Sequence, residues 1–122
     1  MVTTAAITQY DSIAIIRDEQ ALPLWVVDTA LGDGLVRVTA IAPPEIDDSK
    51  AYQLWLVKPD DAGVQSMGLI PQNTDQSYLL NVDVTSDKPV AFAVSLENAG
   101  GSTQDGPEGP VMYQGVVQSL SL

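Results

Sequence analysis

The alternation of apolar and polar positions along this chain predicts a succession of short strands. Leu24 to Thr29 and Leu35 to Ala42 flank the segment Leu31-Gly32-Asp33-Gly34. Glycine takes the positive φ that a tight hairpin turn demands, so a β-hairpin is predicted there. In the second arm Val36, Val38 and Ala40 alternate with Arg37, Thr39 and Ile41, and the valine face is expected to be buried. Pro43-Pro44 then stops the sheet, because proline donates no hydrogen bond to a ladder, and Glu45 to Lys50 is a polar connector. Ala51 to Lys58 is the next strand, with Tyr52, Leu54 and Leu56 on one face and Gln53, Trp55 and Val57 on the other. Apolar side chains on both faces predict a central strand covered on two sides.

Further along, Pro59 to Gly63 reads as a turn, Val64 to Ile70 as a short strand and Pro71 to Gln76 as a loop. Ser77 to Val84 is a further strand and Thr85 to Lys88 a turn. Pro89 to Glu97 is the clearest core strand, with Val90, Phe92, Val94 and Leu96 expected inward and Ala91, Ala93 and Ser95 opposite. The long loop Asn98 to Pro110, rich in Gly and Pro, has the composition of a mobile, cleavable segment. The last strand is expected from Val111 to Leu120. Near the N-terminus, Ile13, Ile15 and Arg17 alternate with Ala14 and Ile16, which favours a strand within Ala5 to Arg17. About seven or eight strands and no amphipathic helix predict an all-β fold, an antiparallel β-sandwich, with a closed β-barrel as the alternative. A chain of 122 residues suits one domain over 1–122, its N-terminal boundary lying somewhere within 1–22.

Composition narrows the chemistry more than the fold. Hydrophobic residues make up 45%, which is globular rather than disordered. The apolar runs, such as Val90 to Val94, fall far short of the roughly 20 residues that span a bilayer. No basic segment followed by an apolar one opens the chain, so no signal peptide is read. The net charge of −11, from 5 basic and 16 acidic residues, disfavours nucleic acid and anionic lipid surfaces. With neither Cys nor His, the chain has no disulfide, no Cys nucleophile, no His general base and none of the usual zinc or copper ligand sets. Ser95 lacks a histidine partner and lies within a strand. Asp47-Asp48 and Asp60-Asp61 follow no calcium-loop pattern and read as solvated turn carboxylates. Glu97 and Asp105 offer a carboxylate pair of the glycosidase kind, but sequence spacing does not bring them together. No catalytic residue, cofactor or metal is expected, and the chain is read as a non-enzyme.

Several blocks follow one another in an ordered series: Tyr52-Gln53-Leu54-Trp55, Ser66-Met67-Gly68, Val94-Ser95-Leu96-Glu97 continuing to Gly100-Gly101-Ser102, and Gly109-Pro110-Val111 leading to Tyr113 and Gly115. With Pro23-Leu24-Trp25-Val26, this series resembles the C-terminal domain of the anti-sigma-K factor (RskA-type) family over roughly Pro23 to Val117. The resemblance implies a single-pass inner-membrane anti-sigma factor. A cytoplasmic domain would bind an extracytoplasmic-function sigma factor, a transmembrane helix would follow, and this domain would lie outside, in the periplasm. Proteolysis would free the sigma factor to direct transcription. Sigma-binding domain and membrane helix are both missing from these residues, so the chain is expected to be a fragment. The implied partners are a sigma factor, through that missing domain, and envelope proteins or proteases.

The motif residues Trp25, Tyr52, Leu54, Trp55, Gly68, Ser95, Leu96, Glu97, Gly100, Gly101, Gly109, Pro110, Tyr113 and Gly115 are read as structural. Tyr52 and Trp55 are expected to be core anchors on opposite faces of one strand. Gly100 and Gly101 are expected to serve a turn of positive φ. Glu97, at a strand end before the long loop, is expected to accept hydrogen bonds from loop N–H groups. The competing function is a small-ligand or glycan-binding β-sandwich, which would present Trp25, Trp55 or Tyr78 on an open face. The ligand-poor composition also yields an expectation for stability: the thermal unfolding midpoint should be the same with and without EDTA. A large drop on chelation would reveal an oxygen-ligand calcium site.

Overall fold

The computed structural model describes residues 10–30, 33–60, 62–81 and 89–120. Nine strands run in the order β1 (Ser12–Arg17), β2 (Pro23–Ala30), β3 (Leu35–Ala40), β4 (Lys50–Val57), β5 (Val64–Leu69), β6 (Ser77–Asn81), β7 (Ala91–Asn98), β8 (Val111–Val116) and β9 (Gln118–Ser119). They form two sheets. One has five strands in the order β6-β3-β2-β1-β9, and the other has four in the order β5-β4-β7-β8. All pairings are antiparallel, so the fold is a β-sandwich, and neither sheet closes into a barrel.

The hairpin legible in the sequence is β2–β3, in register from Trp25↔Ala40 to Ala30↔Leu35. Its inward face carries Val27, Val36, Val38 and Ala40, all buried, and Arg37 and Thr39 point outward. In β1 the buried residues are Ala14 and Ile16, and Ile13 and Ile15 remain half-buried on the outer face. Facing this sheet, β4 contributes Tyr52, Leu54 and Leu56, and β7 contributes Phe92 and Val94. These residues join Leu24, Trp25, Met67 and Ile70 in one cluster between the sheets. Met67 reaches it because β5 bulges: Leu54 faces Gly68 while Trp55 faces Ser66, which leaves Met67 as the extra residue. Gly68 carries the positive φ of +96° there, and its N–H is bonded to Ser66 Oγ at 3.1 Å.

Three expectations change. Val90 lies outside β7 and is exposed, because its N–H bonds to Val57 O at the strand entrance and it precedes the paired register. The strand predicted over Val111 to Leu120 is two strands in different sheets. β8 pairs with β7, the chain bends at Val117, whose N–H bonds to Val90 O at 3.1 Å, and β9 then pairs with β1. The loop before β8 is tied down by hydrogen bonds, although glycine-rich composition suggested mobility. Of the strand expected over Ser77 to Val84, the part through Asn81 is present, and the rest lies outside the described residues, as does the turn Thr85 to Lys88. Leu31 and Gly32 of the hairpin turn also lie outside them.

The two sheets come closest where edge strand β8 passes β1. A Cβ built on Gly115 would lie 2.5 Å from the Ile15 carbonyl oxygen and 2.9 Å from its carbon, so the strands approach backbone to backbone. A side chain there must push rigid main chain apart. Gly115→Ala is therefore expected to cost about 1–3 kcal/mol, the usual range for overpacking, in urea unfolding. A loss within error of zero would mean that β1 and β8 can separate freely.

Candidate functional site

The motif residues divide between the two faces of β4 and its neighbour β7. On the inner face the aromatic rings gather. Trp25 and Tyr52 pack edge to face with centroids 4.8 Å apart, and Tyr113 from β8 lies 6.0 Å from Trp25 and 6.5 Å from Tyr52. Each polar tip of the buried pair has a backbone partner: Trp25 Nε1 donates to Pro71 O at 2.8 Å and the Tyr52 hydroxyl to Pro44 O at 3.0 Å. Thus Trp25 binds the β5–β6 loop and Tyr52 binds the β3–β4 connector to the same cluster. Burial, with the neighbouring Tyr113 hydroxyl, pushes the Tyr52 phenol up to about 12. Leu54 sits beside them, fully buried, and Leu96 packs half-buried against the same core.

On the outer face lies a polar relay that ends in a carboxylate. Trp55 is fully buried there, outside the inter-sheet cluster, and its Nε1 donates to Ser95 Oγ at 2.8 Å across the β4–β7 ladder. The Ser95 hydroxyl in turn donates to Glu97 Oε2 in a short hydrogen bond. Glu97 Oε1 accepts the backbone N–H groups of Glu108 and Gly109 at 3.1 and 3.0 Å. The strand alternation puts residues 53, 55, 95 and 97 on this one face. Glu97 is 1% exposed and makes no ion pair among the described residues. A buried carboxylate without a cation needs hydrogen-bond donors, and here the loop supplies two of the three.

The loop is held over this face at a second point. Gln53, in the middle of β4, accepts the Ser102 N–H on Oε1 at 2.8 Å and donates from Nε2 to Ser66 Oγ at 2.7 Å. Gly101, at φ +89°, lies so near Gln53 that a Cβ would sit 2.8 Å from Oε1. Gly100, at φ +95°, makes the turn with it, and Gly101 N bonds to Asn98 O at 2.9 Å. Gly109 is more constrained still, since an added Cβ would run into the Leu96 carbonyl. Pro110 O then accepts the Leu96 N–H at 3.0 Å and leads into β8. Inside the loop, Glu108 accepts the N–H and hydroxyl of Thr103 at 2.6 and 3.1 Å, and those bonds hold its carboxyl below the usual range.

Sequence reading anticipated the carboxylate–loop contact of Glu97 and the opposite faces of Tyr52 and Trp55. It did not single out Gln53 or Glu108. A glutamine flanked by Tyr52 and Leu54 in an otherwise apolar strand was the available signal for the first. Asp105 is exposed on the loop surface, whereas Glu97 is buried, so the two occupy different environments. Asp47 Oδ1 accepts the Ser49 N–H at 2.8 Å, a turn contact that lowers its carboxyl. Among the described residues no group of three or more carboxylates is placed to hold a metal ion. Trp25 and Trp55 have no exposed surface, and of the rings that a sugar platform would use only Tyr78, on edge strand β6, is exposed.

These features define an all-β sandwich whose long β7–β8 loop is clasped to the outside of one sheet by strand-borne Gln53 and Glu97. The chain belongs to the family described as anti-sigma-K factor rskA, C-terminal, whose model matches residues 2–111. That span includes Gly109, Pro110 and every motif residue before them, whereas Tyr113 and Gly115 lie just past it. No match was found among curated proteins or among solved structures. As a member of this family the chain is a C-terminal anti-sigma-factor domain, and its general partner class is a sigma factor. No helix among the described residues is long and apolar enough to cross a membrane.

Trp55 anchors the outer face as Trp25 anchors the inner one. Trp55→Ala should cost about 3–5 kcal/mol, as aromatic truncations in cores do, read from chemical denaturation. A loss under about 1 kcal/mol, below the core range, would place the ring on solvent.

Proposed function

We propose that this chain is the extracytoplasmic part of a single-pass membrane anti-sigma factor that restrains an extracytoplasmic-function sigma factor. The observation that carries the reading is the family match over residues 2–111. In this reading the sandwich performs no chemistry. It is a regulatory and interaction domain, and its folded state keeps the cytoplasmic part of the protein engaged with the sigma factor. Two features support a folding-based role. The motif residues hold the loop and the two sheets together, and β8 and β9 complete both sheets at their edges. Losing that segment would bare apolar surface and a sheet edge, the features that mark a chain for proteolysis.

The test truncates the full-length protein after Gly109 in cells that carry a reporter for the cognate sigma factor. The truncated protein should be cleaved faster, and sigma-dependent transcription should rise severalfold. Fractionation should place the intact protein in the membrane, with this domain open to added protease only outside the inner membrane. Unchanged transcription together with a cytosolic protein would defeat the proposal.

A further inference from the structure

The loop over the outer face is attached differently from the rest of the fold. The inter-sheet cluster includes no residue of the segment Ala99 to Pro110. That segment carries few apolar side chains, namely Ala99, Pro107 and Pro110. Its ends are fixed by main-chain bonds, Ala99 N–H to Ser49 O and Leu96 N–H to Pro110 O, and between them it is held by side chains of the sheet: Ser102 N–H bonds to Gln53, and the N–H groups of Glu108 and Gly109 bond to Glu97. Two of the three side-chain-mediated bonds end on one carboxylate oxygen. Trp55 shares this outer face, has no exposed surface, and is joined to the same carboxylate through Ser95.

The charge on Glu97 matters to this arrangement because hydrogen bonds to an ionised acceptor are roughly twice as strong as neutral ones. When neutral, the side chain would turn an O–H or N–H toward Ser95 and leave only a neutral oxygen for the two loop amides. Among the described residues no nearby cation substitutes for the lost charge. From β4, Lys50 approaches the same end of the sheet, but its Nζ bonds to Asn98 Oδ1 at 3.0 Å. From the loop, the Glu108 carboxylate is bonded to Thr103, and Asp105 lies farther down, beside Lys58 and Val64. From β8, the facing residues Val111 and Met112 carry no ionisable group.

We propose that the loop 99–110 is a charge-held clasp: it stays shut over Trp55 while Glu97 is ionised, and it loosens when Glu97 is neutralised, with the inter-sheet core intact. Loss of that one charge thereby becomes a change that this domain can register locally. The inference goes beyond the anti-sigma reading and does not rest on it, since the 122-residue chain alone suffices for the test.

The chain has two tryptophans, so 5-fluorotryptophan labelling gives two NMR resonances, one from each sheet face. In Glu97→Gln, the solvent isotope shift at Trp55 should increase, and amide exchange of residues 102–109 should accelerate at least tenfold. The Trp25 resonance and the β2–β3 amides should keep wild-type behaviour. In the wild-type chain, acidification should move Trp55 before Trp25. Glu108→Gln should retain that response, and Glu97→Gln should abolish it. If Glu97→Gln fails to fold, the wild-type and Glu108→Gln titrations still decide the matter. Simultaneous movement of both tryptophans in acid, or an acid response that persists in Glu97→Gln, would overturn the proposal.

Discussion

Strand β4 is apolar on both faces, and the rest of the architecture follows from the need to cover each of them. A strand in a two-layer sandwich ordinarily leaves one face to water. Here Tyr52, Leu54 and Leu56 are covered by the opposite sheet, which leaves Gln53 and Trp55 on the other side still in need of cover. No third sheet exists among the described strands, so the chain uses a loop. A loop exposes main-chain N–H groups that must be paired wherever they are buried. Gln53 and Glu97 provide that pairing from the strands, Ser95 bonds to Glu97 from below, and Gly101 and Gly109 let the loop backbone approach where a Cβ would collide.

This dependence explains the spacing of the motif blocks. Residues 53 and 55 on β4 and residues 95 and 97 on β7 share one face through the alternation of the pleat, and the ladder register places Gln53 opposite Ser95. The glycines come from the loop itself. Blocks 40 residues apart in sequence therefore converge on a single patch, where the Trp55 indole reaches Ser95. The inner aromatic group works in parallel, since Trp25 and Tyr52 each bind the carbonyl of a proline in a separate connector.

Much of the fold was legible because alternation reports burial directly. The β2–β3 hairpin, the doubly covered β4 and the inward Phe92 and Val94 all follow from period-two patterning. The same patterning cannot tell which sheet a strand joins. Val111 to Leu120 reads as one apolar segment, although the bend at Val117 sends its two halves to different sheets. Val90 looked inward by parity, but parity applies only within the paired register. Loop composition misled for a related reason. Glycine suggests freedom, yet at Gly109 it marks close approach to a neighbouring strand, which only coordinates reveal. The role of Glu97 was readable from its place at a strand end, whereas that of Gln53 depended on a loop partner 49 residues away.

The change of sheet between β8 and β9 also has a mechanical meaning. A force drawn through Leu120 would load β9 first, and β9 is joined to β1 through only two residue pairs, Ser12↔Ser119 and Ile13↔Gln118. Once those give way, the pull reaches Val117 and then β8, the edge strand paired with β7. The sandwich therefore has a weak direction. Tension on this end reaches both sheets in sequence, first at the short β1–β9 pairing and then at the β7–β8 ladder.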